Sequence, residues 1–307
     1  MPCYKPLSAF QDANGTVAFT ERKGANWIRT LTLPCGRCVG CRLERSRQWA
    51  VRCLHESKSN HENCFITLTY SEEHLPENMS LNYDVFQRFM KRLRKHFGSK
   101  RVRFYMCGEY GETNPSTGLI DGGIYRPHFH ACLFGVDFPD KVLASNKGGK
   151  KLYDSKILER LWGFGGVRVG ELNFETAAYT ARYIMKKITG DPAEEHYSYV
   201  VPATGEIVQR EPEFCHMSLK PGIGAEWLDK FHQDVYRFDY VVVRGREAKP
   251  PRYYDKRYAK RHEDAFATIQ DSREVKSYAR RLDNTDSRLA VKEVVAKARV
   301  SLFKRNL

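Results

Sequence analysis

Two histidines in Arg126-Pro-His128-Phe-His130-Ala-Cys-Leu-Phe134 are the residues best placed to do chemistry. The segment reads as a strand, and on a strand residues i and i+2 point to the same face. His128 and His130 would then present two imidazoles side by side, with Phe129 turned into the core. Two neutral imidazoles plus a carboxylate make a divalent-metal site with open positions. Glu109, in Cys107-Gly-Glu-Tyr-Gly111, ends the preceding strand, and a hairpin would bring it beside the pair; Glu112 is the fallback. A plainer reading stands against this. His-x-His is short, and it also fits a satisfied pair on a half-buried strand.

A second group lies in Ala178-Tyr179-Thr-Ala-Arg-Tyr183-Ile-Met-Lys186-Lys187. Tyr179 and Tyr183 are four apart on an expected helix and share a face, with Lys186 on the same side. A phenol with pKa near 10 is a poor nucleophile at neutral pH. A neighbouring ammonium favours the phenolate and can also hold a phosphate. The bland alternative is two packing tyrosines on an amphipathic helix.

The third group is cysteine. There are 9 in the chain, and Pro34-Cys-Gly-Arg-Cys-Val-Gly-Cys-Arg42 spaces three of them two residues apart. Cys35, Cys38 and Cys41 with Cys53 would complete a tetrahedral structural zinc site, and His55 and His61 are other candidate ligands. Plain reduced thiols are the alternative, since an odd cysteine count without an export signal fits a reducing cytoplasm. Basic residues are candidates for phosphate contacts: Arg42, Arg45, Arg47 and Arg52 on the expected helix 41–56, then Lys187, Arg252, Lys256, Arg257, Lys260 and Arg261. Tyr253, Tyr254 and Tyr258 are interleaved with them and could stack on unpaired bases. A solvated charged helix explains the same run equally well.

The elements that must position these groups follow from periodicity. Strands are expected at 64–70, 102–107, 128–134 and 166–172, and helices at 82–97, 155–162 and 174–188. Gly98 ends the first of these helices and Gly190-Asp-Pro192 the last. Gly108–Arg126 reads as a loop, and 190–240 as less regular. This order implies an α+β fold, an antiparallel or mixed sheet covered by helices rather than a doubly wound one. Three regions are expected: a Cys-rich basic segment at 1–60, a core at 61–190, and a C-terminal extension with a basic tail at 191–307.

Charge points to the partner. The 307 residues carry a formal +14, and from Val241 onward 18 Lys+Arg face 9 Asp+Glu. Such an excess suits a polyanion, because each phosphate neutralised by Lys or Arg releases a counterion. No apolar run reaches the roughly 18 residues of a membrane span, and Met1–Phe10 lacks a secretory pattern. No membrane association and a cytoplasmic location are therefore expected. No Gly-x-x-x-x-Gly-Lys-[Ser/Thr] loop is present, so unwinding of DNA would need a partner.

At these residues the chain resembles the HUH-type endonucleases, and most of all the rolling-circle replication initiators of microviruses, small single-stranded DNA phages. Phe65-Ile-Thr-Leu-Thr69 resembles the first motif, His128-Phe-His130 the metal-binding motif, and Tyr179-x-x-x-Tyr183 with Lys186 the two-tyrosine form of the third. The cysteine-bearing start resembles the leading segment of the same initiators. The resemblance spans roughly residues 60–190 and implies the HUH-type central sheet. It implies Mg²⁺ or Mn²⁺ on His128, His130 and Glu109, and attack by Tyr183 or Tyr179 on single-stranded DNA at a replication origin. The expected products are a 5′-phosphotyrosyl link and a 3′-hydroxyl for host polymerase and helicase to use. An HUH transposase or relaxase of a mobile element shares this chemistry, and a non-catalytic zinc-dependent DNA-binding regulator would make both pairs structural.

Overall fold

The computed structural model describes residues 3–20, 26–112, 117, 124–182, 187–188 and 190–302. In chain order the elements begin with β1 (Leu7–Asp12), β2 (Val17–Ala18), β3 (Trp27–Leu33) and α1 (Val39–Lys58). Next come β4 (Asn63–Thr69), α2 (Tyr83–Phe97), β5 (Arg103–Tyr110), β6 (Pro127–Phe134), β7 (Val142–Lys147) and β8 (Lys150–Asp154). They continue with α3 (Lys156–Trp162), β9 (Val167–Gly170), α4 (Phe174–Arg182), α5 (Pro192–Tyr197), β10 (Ser198–Val200) and β11 (Ile207–Gln209). The chain finishes with β12 (Phe214–Met217), α6 (Ala225–Phe238), β13 (Val241–Val243), β14 (Arg246–Ala248), α7 (Arg252–Ala259), α8 (Glu263–Ala279) and α9 (Asp286–Leu302).

These elements form two compact units, Ser46–Asp255 and a second that joins Met1–Arg45 to Lys256–Leu307. The larger unit is built on a seven-stranded sheet of order β12-β5-β6-β4-β9-β8-β7. Every pairing in it is antiparallel, which resolves the choice between antiparallel and mixed.

Strand alternation divides its side chains between two cores. Ile66, Leu68, Phe104, Met106, Phe129, Ala131 and Leu133 pack with Phe86, Phe89, Met90 and Leu93 of α2 and with Leu158 and Trp162 of α3. Phe65, Tyr105, Cys132 and Phe134 turn the other way, onto Ala50 and Cys53 of α1 and Ala177 and Ala181 of α4. Both faces are covered, so β5 is buried along its whole length.

Local chemistry sets the helix limits. The Asn82 side chain accepts from Asp84 N at the head of α2, and Ser155 accepts from Leu158 N at the head of α3. Gly163 closes α3 in the left-handed region that glycine favours. Just beyond it, Gly165 has φ +149°, and a Cβ there would lie 2.3 Å from Ser71 N and 2.7 Å from Thr69 O. Only glycine lets this turn lie so close to the end of β4.

The sheet also takes strands that periodicity missed. The β7–β8 hairpin is mostly exposed and lacks apolar alternation. β12 and α6 fall inside 190–240, the stretch expected to be less regular. Four partly buried residues, Phe-Cys-His-Met, are too few to show a period, and β12 exists because β5 offers a free edge.

The smaller unit holds the β2-β1-β3 meander, the first turns of α1, and the C-terminal helices α8 and α9. Its basic C-terminal stretch is helical and largely exposed. Among the described residues no helix is long and apolar enough to cross a membrane.

Candidate active site

Register builds the site. Glu109 lies directly opposite His128 across β5 and β6, and His130 opposite Cys107. Directly opposed residues of an antiparallel pair share a face, so the carboxylate and both imidazoles converge. Glu109 Oε1 is 2.7 Å from His128 Nε2 and 2.7 Å from His130 Nε2. Glu109 and His130 are buried, and the His128 side chain keeps 18% of its surface. Glu112 is not part of the group, so Glu109 is the carboxylate the geometry selects.

Each ring is oriented by its other nitrogen. His130 Nδ1 lies 2.9 Å from Thr67 Oγ1, on the neighbouring strand β4 directly opposite in register. His128 Nδ1 donates to the Arg126 carbonyl at 3.2 Å. A carbonyl can only accept, so a neutral His128 carries its proton on Nδ1 and turns an Nε2 lone pair toward Glu109. An acceptor then faces a carboxylate oxygen at hydrogen-bond distance, a mismatch that a cation relieves.

Burial by itself would raise the Glu109 pKa. When the imidazoles carry positive charge in place of a cation, their hydrogen bonds and charge, His128 first and then His130, outweigh it and hold the carboxyl down at about 2. An ionised carboxylate with two inward-facing Nε2 atoms, all within 4.8 Å, fits one divalent cation.

α4 lies on the same face. Ala177, Thr180 and Ala181 are buried against the sheet, and Cys132 Sγ contacts Thr180 Oγ1. One residue from that buried line, Tyr179 places its ring edge-on to His130, centroids 5.1 Å apart, and also meets Phe65. A phenol thus sits beside the imidazole pair. Tyr183 and Lys186 lie outside the described residues. Lys187 lines a groove beside α2 with Arg88, Phe214 and His216.

The remaining expectations divide. Arg45, Arg252 and Lys256 are exposed, and Arg42 and Arg257 half-buried. Arg52 and Tyr254 do not fit contact with nucleic acid. Arg52 is sandwiched between the rings of Trp49 and Tyr253, at 3.9 and 4.0 Å, and donates to the Ile223 carbonyl. Tyr254 is fully buried and bonds His55 Nδ1 at 3.0 Å. His55 itself stacks on Trp227 and, with its pKa lowered to about 3 by burial, belongs to this core rather than to a metal.

Cys53 also needs correction. It is buried with Ala50, Tyr105 and Cys132, because it falls on the apolar face of α1. The fourth thiol beside Cys35, Cys38 and Cys41 is Cys3. Sequence reasoning missed Cys3, which stands 32 residues upstream of Cys35 with no short spacing to mark it, and gave Thr67 no role. Strand alternation next to a His-x-His strand was the available signal for Thr67.

The chain was compared with known proteins. The family described as "Replication-associated protein ORF2/G2P" matches residues 63–188. The replication-associated protein VP4 of Bdellovibrio phage phiMH2K is 29% identical, over 90% of this chain and 83% of that protein. Replication-associated protein ORF2 of Spiroplasma virus 4 is 34% identical, over 83% of this chain and 76% of that protein. Replication-associated protein ORF4 of Chlamydia phage 1 is 37% identical, over 72% of this chain and 52% of that protein. No solved structure matches.

Proposed function

This chain belongs to the phage replication-associated proteins, HUH-type rolling-circle initiators, and we propose that it nicks single-stranded DNA at a replication origin through a tyrosine nucleophile. The observation that carries this reading is the convergence of Glu109, His128 and His130 with the Tyr179 ring beside them.

The three convergent residues would hold the metal, for which we propose Mg²⁺ or Mn²⁺. Such an ion supplies Lewis-acid polarisation of the scissile phosphate and stabilises charge on its oxygens. The chain does the rest. Thr67 and the Arg126 carbonyl keep both imidazoles turned inward. Tyr179 or Tyr183 attacks phosphorus in line. The P–O3′ bond breaks as the P–O bond to tyrosine forms, the phenol gives up its proton, and the departing O3′ gains one. Lys186 favours the phenolate. A 5′-phosphotyrosyl link and a free 3′-hydroxyl result, and phosphodiester energy is retained in the link. The second tyrosine then attacks the regenerated origin, takes its 5′-phosphate and releases a new 3′-hydroxyl. That hydroxyl attacks the first phosphotyrosyl link, so the displaced strand closes into a circle and the first tyrosine leaves and regains its proton.

Residues 61–190 are the nuclease core in this reading, with 1–60 as a Cys-rich basic segment and 191–307 as an extension whose basic tail follows the DNA. Arg42, Arg45, Lys187, Arg252, Lys256 and Arg257 contact phosphates. A host helicase unwinds the duplex and a host polymerase extends the 3′-end, in the bacterial cytoplasm.

The test is covalent capture. The full chain is incubated with Mn²⁺ and end-labelled single-stranded oligonucleotides tiling the genome that encodes it. A denaturant-resistant protein–DNA adduct is expected with one oligonucleotide, carrying the DNA 3′ of the cut. It should vanish in His128→Ala/His130→Ala and in Tyr179→Phe/Tyr183→Phe. An adduct that survives the double tyrosine change would refute the proposal, as would cleavage that leaves no linked protein.

A further inference from the structure

We propose that Cys3, Cys35, Cys38 and Cys41 bind one structural zinc ion at the head of α1. The proposal stands on these four thiols alone and is independent of the nuclease reading.

The sulfur positions carry the argument. All four Sγ atoms lie within 4.8 Å of one another. Cys3 and Cys38 are 3.9 Å apart, and Cys35 and Cys41 are 4.0 Å apart. A disulfide requires about 2.05 Å. A tetrahedral ion with Zn–S bonds of about 2.3 Å sets its sulfurs roughly 3.8 Å apart. The separations therefore match four ligands on a common centre rather than two cross-links. The group is of a size to hold one ion.

The backbone is arranged for thiolates. Tyr4 N points at Cys38 Sγ at 3.4 Å, Cys35 N at Cys3 Sγ at 3.3 Å, and Cys38 N at Cys35 Sγ at 3.3 Å. A neutral thiol is a weak acceptor. Three N–H donors aimed into one cluster suit sulfurs that carry negative charge, and a divalent cation stabilises that charge. Gly36, at φ +76°, makes the turn that aims Cys38 N back at Cys35.

Four thiolates in a tetrahedron select a soft ion, zinc or iron. Zinc has no redox chemistry and favours closed four-coordinate sites of this kind. The ion would join the start of the chain to the loop after β3 and the first turn of α1, closing a loop of some thirty residues around the β1–β3 sheet. Arg42 and Arg45 follow on the next turns of α1, so the site fixes the backbone that carries them.

The experiment measures metal in the full chain carrying His128→Ala/His130→Ala, which removes the other metal site. After gel filtration in metal-free buffer, about one zinc per chain should remain, as a closed four-thiolate site predicts. An organomercurial that caps thiols should release it in full. Cys38→Ser and Cys3→Ser should lose it, and Cys53→Ser should retain it. Because a cysteine variant can fail to fold, the unaltered cysteine set is also refolded with Co²⁺. Thiolate-to-cobalt charge transfer with tetrahedral visible bands is the expected spectrum. A zinc-free chain whose four thiols react freely would overturn the proposal. So would iron in place of zinc, or full zinc content in Cys3→Ser.

Discussion

His130 depends on a hydroxyl that belongs to another strand. Thr67 Oγ1 holds its Nδ1 at 2.9 Å while Nε2 faces Glu109 at 2.7 Å. Removing such an outer partner usually costs roughly 10–100-fold in metal affinity or activity. Thr67→Val should therefore raise the Mn²⁺ concentration needed for half-maximal nicking by about that factor, with little change at saturation. Thr67→Ser should restore the original dependence. A Mn²⁺ titration of nicking by the three proteins decides the point, and an unshifted Thr67→Val curve would assign the contact to packing. His128 is oriented by a main-chain carbonyl instead, so no side-chain change reproduces the effect there.

Among the elements, α1 is locked to the sheet by charge as well as by apolar contact. Arg103 of β5 donates to Glu56 Oε1 at 2.5 Å and to the Pro221 carbonyl at 2.6 Å, while Glu56 Oε2 accepts from Gly224 N at 2.6 Å. Both side chains are at least 94% buried. Glu56→Ala leaves the guanidinium buried without its carboxylate, and losing one partner of such a pair costs about 3–5 kcal/mol. A fall of that size in urea-unfolding stability is expected. A loss under about 1 kcal/mol would show that solvent reaches Arg103. Little of this network was legible in the sequence. Glu56 and Arg103 looked like two more charges in a chain that is 29% charged, and their pairing depends on how α1 crosses β5. By contrast α2 was readable almost to the residue, because Asn82, the apolar spacing of Phe86, Phe89, Met90 and Leu93, and Gly98 are all local signals.

For the whole molecule, +14 in 307 residues should govern affinity for single strands more than any single contact. Binding constants for single-stranded DNA should fall linearly with salt on a log–log plot, with a slope of about −0.7 for each phosphate neutralised. Lys256→Ala and Arg257→Ala should each flatten that slope by about 0.7 and weaken all sequences alike. Fluorescence anisotropy between low and moderate salt measures it. If neither substitution alters the slope, the first turns of the basic C-terminal region do not lie along the DNA.

Local pattern alone determined that His128 and His130 share a face, that Tyr179 lies on a helix, and that helices cover a sheet. Each follows from periods of two or 3.6 residues, which a short segment carries within itself. Tertiary structure brought Glu109 rather than Glu112 to the histidines and Cys3 rather than Cys53 to the other thiols, and it added the edge strand at 214–217. Those choices depend on strand register and on chain segments distant in sequence meeting in space. The energy of such meetings belongs to both partners at once, so neither segment displays it alone.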